Sequence, residues 1–191
     1  LIHVDATRVE SSKKSVLVAS KLPFDSSEQP IPNDSERWLA VDISSVDLKV
    51  LAVHIPASTD KDGKNRKGRL WDEVIGFAQR HRDERVVLLG DFNTGLNEDA
   101  EGTPFAFSDR IRILRLEKYV DAWRSLNPKR REYTWYSNPP KGSKSNGFRL
   151  DYIFASRSIG GGILHAEHDH SVRLERLSDH SIVWADIELG D

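Results

Sequence analysis

Val86-Val87-Leu88-Leu89-Gly90-Asp91-Phe92-Asn93 is the stretch on which the fold turns. Four apolar residues, two of them β-branched, run without a polar break and stop at a glycine, a carboxylate and an amide. Such a run, bounded by turn residues, reads as a strand buried on both faces. Alternation along a strand puts Asp91 and Asn93 on one side of the chain, where both can address one ligand. Strand ends are also where ligands collect in α/β sheets. Asp and Asn are equally ordinary turn residues, so the tetrapeptide by itself fits a turn as well as a site.

The same pattern marks strands at Ser15–Ala19, Trp38–Ile43, Leu48–Ile55, Arg85–Leu89, Leu150–Ala155 and Ser181–Ile187. Between the third and fourth of these, Leu70, Trp71, Val74, Phe77 and Ala78 recur at helical spacing and predict an amphipathic helix. Strand, helix, strand implies a crossover and a parallel pair. Trp38–Ile43 and Leu48–Ile55, separated by Ser44-Ser45-Val46-Asp47, predict an antiparallel hairpin. The expected fold class is therefore α/β, with two mixed sheets packed face to face and helices outside. Pro23–Asn33, Ala57–Gly68, Asn138–Gly147 and Gly160–Gly162 read as loops, and none reads as a linker, so residues 1–191 are expected to form one domain.

Composition narrows the chemistry. The chain has 38% hydrophobic residues, enough for one substantial core, and no apolar run long enough to span a bilayer. Zero cysteines exclude a disulfide framework, a thiolate metal site and a thiol nucleophile. Zero methionines and an initial Leu1 imply that sequence upstream was removed or left out. The net charge of −2 hides an uneven distribution: from Arg110 to Arg149, eleven Lys and Arg face three Asp and Glu. That segment is either a binding surface for a polyanion or a set of solvated helix and loop faces.

Two further stretches carry candidate chemistry. In Gly147-Phe148-Arg149-Leu150-Asp151-Tyr152-Ile153-Phe154, alternation predicts Arg149 and Asp151 on one face and aromatics on the other. A carboxylate in an apolar neighbourhood needs a partner. Leu177-Ser178-Asp179-His180-Ser181-Ile182-Val183 offers one, because His180 stands where a loop enters the last strand. Asp151 is expected to bond one nitrogen of His180, fixing its tautomer and raising its basicity. His165, His168 and His170 suggest a metal site, but Glu167 and Asp169 between them suit a solvated strand end as well.

Taken in order, Gly90-Asp91-Phe92-Asn93, Arg149-Leu150-Asp151-Tyr152 and Ser178-Asp179-His180 resemble the signature of the endonuclease/exonuclease/phosphatase superfamily. Ser15–Lys21 and Val53-His54-Ile55-Pro56 resemble two further strands of it, and Tyr133-Thr134-Trp135 resembles the exonuclease III and apurinic-endonuclease branch. The resemblance implies a DNase I-like sandwich whose rim hydrolyses a phosphoester with Mg²⁺, or Mn²⁺ in its place, by in-line attack of water. On it, Asp91 would orient or deprotonate that water and share a metal with Asp179, while Asn93 would hold the water or a phosphate oxygen. His180, backed by Asp151, would donate to the non-bridging oxygens. His54 would face the scissile phosphate, Arg149 would either contact the substrate or serve only as counter-ion to a buried aspartate, and Phe148 would line a pocket for an extruded sugar.

The sequence departs from the family at its start. Family members open with a strand ending in Asn or Asp, a helix, and a strand ending in Gln-Glu whose glutamate ligates Mg²⁺; this chain shows no such unit before Ser15. An N-terminally incomplete domain is expected, with weak Mg²⁺ binding and weak activity of its own. It should also have a sheet edge that pairs with an upstream segment or a second chain. Glu10, in the polar stretch Thr7–Ser12, is the one substitute ligand at hand. The expected function is a Mg²⁺-dependent phosphodiesterase of nuclease type acting on nucleic acid. The alternatives are a phosphatase or phosphodiesterase on lipid headgroups or small phosphoesters, and a non-catalytic phosphate-binding relative that keeps Asn93 and His180 for recognition.

Overall fold

Apolar alternation becomes layers in a computed structural model, which describes residues 1–7, 15–28, 32–59, 62–103, 105–138, 141 and 143–190. Glu10 lies outside the described residues, as do parts of three of the expected loops. A hairpin of β1 (His3–Ala6) and β2 (Leu17–Ser20) precedes a six-stranded mixed sheet. That sheet contains β3 (Asp25–Ser26), β4 (Trp38–Ile43), β5 (Leu48–His54), β6 (Val86–Asp91), β7 (Val120–Asp121) and β10 (Asp151–Ala155). β8 (Trp135–Tyr136) pairs with β9 (Gly147–Phe148), and β11 (Ile163–Asp169) pairs with β12 (Ile182–Ile187).

The large sheet has the order β3-β4-β5-β6-β10-β7. As expected, β4 and β5 form an antiparallel hairpin; a 3₁₀ turn at Ser44–Val46 and a left-handed Asp47 (φ 48°) close it. The pair β5 and β6 is parallel, joined by helix α1 (Gly63–Arg80). This helix starts well before the expected Leu70, inside the stretch read as a loop. The buried stripe of α1 runs from Gly63 through Lys67, a residue that breaks the apolar pattern without leaving the stripe.

Alternation on each strand divides the core. Trp38, Ala40, Leu51, Val53, Val86, Leu88, Tyr152 and Phe154 pack with Leu70, Trp71, Val74 and Phe77 of α1 and with Ile111 and Leu114 of α2 (Ser108–Leu116). The opposite face splits between the two hairpins. Leu39, Val41, Val50 and Ala52 take Val16 and Val18, while Val87, Ile153 and Ala155 take Ile163, Ala166, Ala185 and Ile187. A short α3 (Ala122–Leu126) inserts Trp123 beside the second group. Each fully buried large apolar side chain contributes about 1.5–3 kcal/mol relative to exposure.

The second layer thus consists of two separate hairpins among the described residues. Leu89, Gly90, Tyr152, Ile153 and Val183 line a groove beside β12, and Val4, Leu17, Ile182 and Trp184 on the hairpins remain exposed. His165 and His168 lie on β11 and His170 just beyond it, and the three do not gather around a metal position. His165 is exposed, His170 bonds Ser181 and Glu132, and His168 is buried with its ring stacked on Trp123 at 4.6 Å.

Candidate active site

Register alone brings the first three groups together. His54 is the last residue of β5 and pairs with Asp91, and on the other side Asp151 at the start of β10 also pairs with Asp91. β6 can end this way because residue 90 is glycine. Gly90 has φ 131°, and a Cβ there would stand 2.0 Å from the Val53 carbonyl oxygen. Immediately after, Asn93 adopts a left-handed conformation (φ 45°), which Asn tolerates better than most residues. Its backbone N–H donates to Asp91 Oδ1 at 2.7 Å, and its Nδ2 donates to Asp91 Oδ2 at 2.8 Å and to the Ile55 carbonyl at 3.0 Å. Both carboxylate oxygens of Asp91 are therefore held in orientation by Asn93.

The expected pairing of Asp151 with His180 is present: Nδ1 of the imidazole lies 2.8 Å from Asp151 Oδ2, which leaves Nε2 to address the groove. Thr134 sets the height of this pair. Its hydroxyl oxygen accepts from the N–H groups of Leu150 and Asp151 at 3.0 and 3.2 Å, and its carbonyl accepts from Ser181 N at 2.8 Å. Burial opposes a charge on His180, but the hydrogen bond and charge of Asp151, with Asp91 and Asp179, outweigh it and hold the imidazole above its ordinary value. His54 Nε2 stands 3.6 Å from Asp91 Oδ2.

Ligand atoms of Asp91, Asp151 and His180 lie within 4.8 Å of one another, the one such cluster among the described residues. Asp179 lines the same groove with its side chain exposed, and it lies outside that cluster. The groove encloses about 340 Å³ between a polar wall of Arg37, His54, Asp91, Asn93, Asp179 and His180 and an apolar wall of Phe105, Trp135 and Leu150.

Two expectations are corrected. Arg149 is completely buried and cannot contact a substrate. Its guanidinium bonds Asp99 Oδ2 at 2.6 and 3.1 Å and both oxygens of Asp121 at 3.0 and 2.8 Å, and stacks over Tyr152 and Trp123. Arg149 precedes β10, so strand alternation does not govern it. Burial raises the Asp121 carboxyl, but Arg149, Arg124 and Arg115 hold it below the usual range. Phe148 is also buried, packed against Phe105 and Trp135; the groove wall is made by those two rings and Leu150. Several cations of the basic segment, for which two readings were open, pair with carboxylates. Arg110 pairs with Asp72, Arg112 with Glu98, Arg124 with Asp99, Arg130 with Glu132 and Glu167, and Lys144 with Glu101.

Sequence reasoning missed Arg37, which donates to the His54 carbonyl at 3.2 Å and reaches the groove with no motif around it. It also passed over Phe105. Trp135 was visible only as part of Tyr133-Thr134-Trp135, and its bridge to His180 ties that segment to the site.

The chain thus joins an α/β sandwich to an imidazole–carboxylate cluster at the ends of its central strands. Residues 9–180 match the Endonuclease/Exonuclease/phosphatase family, and the chain belongs to it. Solved structures agree on the fold. An AP endonuclease from Archaeoglobus fulgidus superimposes with a TM-score of 0.79 at 22% identity, covering 98% of this chain and 79% of that one. The 3'-5' exonuclease NExo from Neisseria meningitidis gives 0.77 at 22%, covering 98% and 80%. A structure described as the 3' phosphatase NExo from Neisseria bound to product DNA hairpin gives 0.76 at 23%, covering 98% and 79%.

Proposed function

We propose that this chain is a divalent-metal-dependent phosphodiesterase of nuclease type, cleaving a P–O bond by in-line attack of water. The observation that carries the reading is the Asp91, Asp151 and His180 cluster, of which Asp91 and His180 line a groove shared by polar and apolar side chains. Its donor set suits a hard cation: Asp91 and Asp151 offer carboxylate oxygens, and Asp179 adds one at the groove's edge. Bound Mg²⁺ or Mn²⁺ would supply the positive charge that polarises a phosphoryl oxygen.

The remaining work falls to the chain's own side chains. Asp91 accepts a proton from the attacking water or orients it, and Asn93 keeps Asp91 aimed. His180, with Nδ1 tied to Asp151, presents Nε2 as a donor to a non-bridging oxygen as charge builds there. His54 and Arg37 bring further donors to the same space. Phe105, Trp135 and Leu150 offer flat apolar surface for a sugar or base, which supports a nucleic-acid substrate, as does the DNA-bound neighbour. The 3' phosphatase neighbour favours a monoester at a strand end as the second reading. We read residues 1–191 as one domain.

The test is hydrolysis of oligonucleotides with excess Mg²⁺. Asp91→Ala and His180→Ala are each expected to lower kcat by at least about 100-fold with unchanged melting temperature. Turnover retained in either variant sinks the assignment. A nucleic-acid substrate predicts a KM that rises steeply with salt, whereas a small monoester predicts little response.

A further inference from the structure

Lys67 occupies a place where a methionine would be expected. It lies on the buried stripe of α1 with Leu70, Trp71, Val74, Phe77 and Ala78, and it is 0% exposed. A buried ammonium loses its hydration, and lysine is almost never fully buried unless paired. Among the described residues its hydrogen-bond acceptor is the Asn93 carbonyl oxygen, and its Nζ lies 5.5 Å from the centroid of the Phe105 ring. Burial pulls the amine down to about 8, against the opposing pull of Asp91, so the charge is kept at neutral pH under strain.

The contact falls at a consequential point. Asn93 is the left-handed residue whose two amide donors orient Asp91. One helical turn along α1, Trp71 Nε1 donates to Thr94 Oγ1 at 3.0 Å, so the helix holds two successive residues of that turn. Packing alone does not call for an ammonium here: a neutral side chain of similar length would fill the stripe without desolvating a charge. Groups whose burial is costly and whose partners lie in a cleft are commonly retained for function.

We propose that Lys67 is a positioning residue for the site: by holding the Asn93 carbonyl it fixes the turn that aims Asn93 at Asp91. Its seat against Phe105 links the same turn to the apolar wall of the groove. This rests on the reading of Asp91 and Asn93 as site residues, and its test separates the two claims.

The experiment compares the parent with Lys67→Met and Lys67→Gln by NMR-detected native-state hydrogen exchange, thermal melting and Mg²⁺-dependent hydrolysis of an oligonucleotide. In Lys67→Met the Asn93 amide should exchange at least about tenfold faster, while the amide of Leu88 in β6 keeps its protection and the melting temperature is unchanged or higher. kcat should fall at least about tenfold with KM within about threefold, and Lys67→Gln, which can still donate to the Asn93 carbonyl, should recover most of both losses. Unchanged exchange at Asn93 overturns the proposal. So does a loss of protection shared equally by Leu88, or failure of Lys67→Met to fold, because either makes the ammonium a requirement of the fold. If the parent itself shows no turnover, the hydrolase reading falls while the exchange data still decide the role of Lys67.

Discussion

His168 gives the sharpest test of the packing. Its side chain is fully buried, both ring nitrogens lack hydrogen-bond partners, and the ring stacks on Trp123 at an interplanar angle of 12°. Burial, then the nearby charges of Arg149 and His170, hold the imidazole down to about 3, even though Glu132 approaches Nδ1 to 3.6 Å. In the unfolded chain the same group titrates near its ordinary value of about 6.5. Above that pH both states carry neutral His168 and it contributes no pH dependence. Below it the unfolded state gains a proton that the folded state refuses, so stability falls with pH until about 3 is reached. Each pH unit below about 6.5 costs about 1.4 kcal/mol, which makes the loss from ~pH 7 to ~pH 5 about 2 kcal/mol from this residue.

His168→Phe keeps the stack and removes the titration. Urea unfolding of parent and variant at both pH values gives a double difference in which Glu132, His170 and every other titrating group cancel to first order. The parent should lose about 2 kcal/mol more than the variant on acidification, and the variant should be more stable by about 1 kcal/mol at neutral pH through loss of two unsatisfied polar atoms. Equal acid sensitivity in the two proteins would refute the placement of a neutral, buried His168.

Two further changes probe the corrected assignments. Arg149→Met leaves Asp99 and Asp121 buried with only Arg124 and Arg115 for charge, and should cost about 3 kcal/mol in urea unfolding at constant m. Activity per folded molecule should change little, and a specific loss of kcat would return Arg149 to the substrate side. Trp135→Ala removes part of the groove's apolar wall and should raise KM for an oligonucleotide about tenfold with kcat nearly unchanged. An unaltered KM would show that the substrate lies elsewhere.

What could be read from the sequence follows the length scale of the physics. Strands β4, β5, β6 and β10 have five to seven residues, long enough for burial to impress a pattern, and their expected bounds fall within a residue or two of the observed ones. β3, β7, β8 and β9 have two residues each, too short for any period, and were not anticipated. The Asp151–His180 bond was legible because a carboxylate near aromatics demands a partner. Arg149 misled because alternation was applied to a residue outside the strand. Lys67 hid the first turns of α1, since a charged residue on a buried stripe reads as the end of the stripe. His168 gave no sign of burial, because alternating His, Glu and Asp looks the same whether one face is wet or dry.

The ladder that sets Asp91 between His54 and Asp151 divides the molecule's freedom to change. A slip of one residue in β6 would turn Asp91 away from the rim and bring Phe92 to it, so the proposed chemistry is bound to a pairing that the whole core enforces. Phe105 is carried by a segment outside the six-stranded sheet and Trp135 by the short β8, and neither is held by that pairing. The groove's apolar lining could therefore be recast through those segments while Asp91, His54 and Asp151 stay where they are.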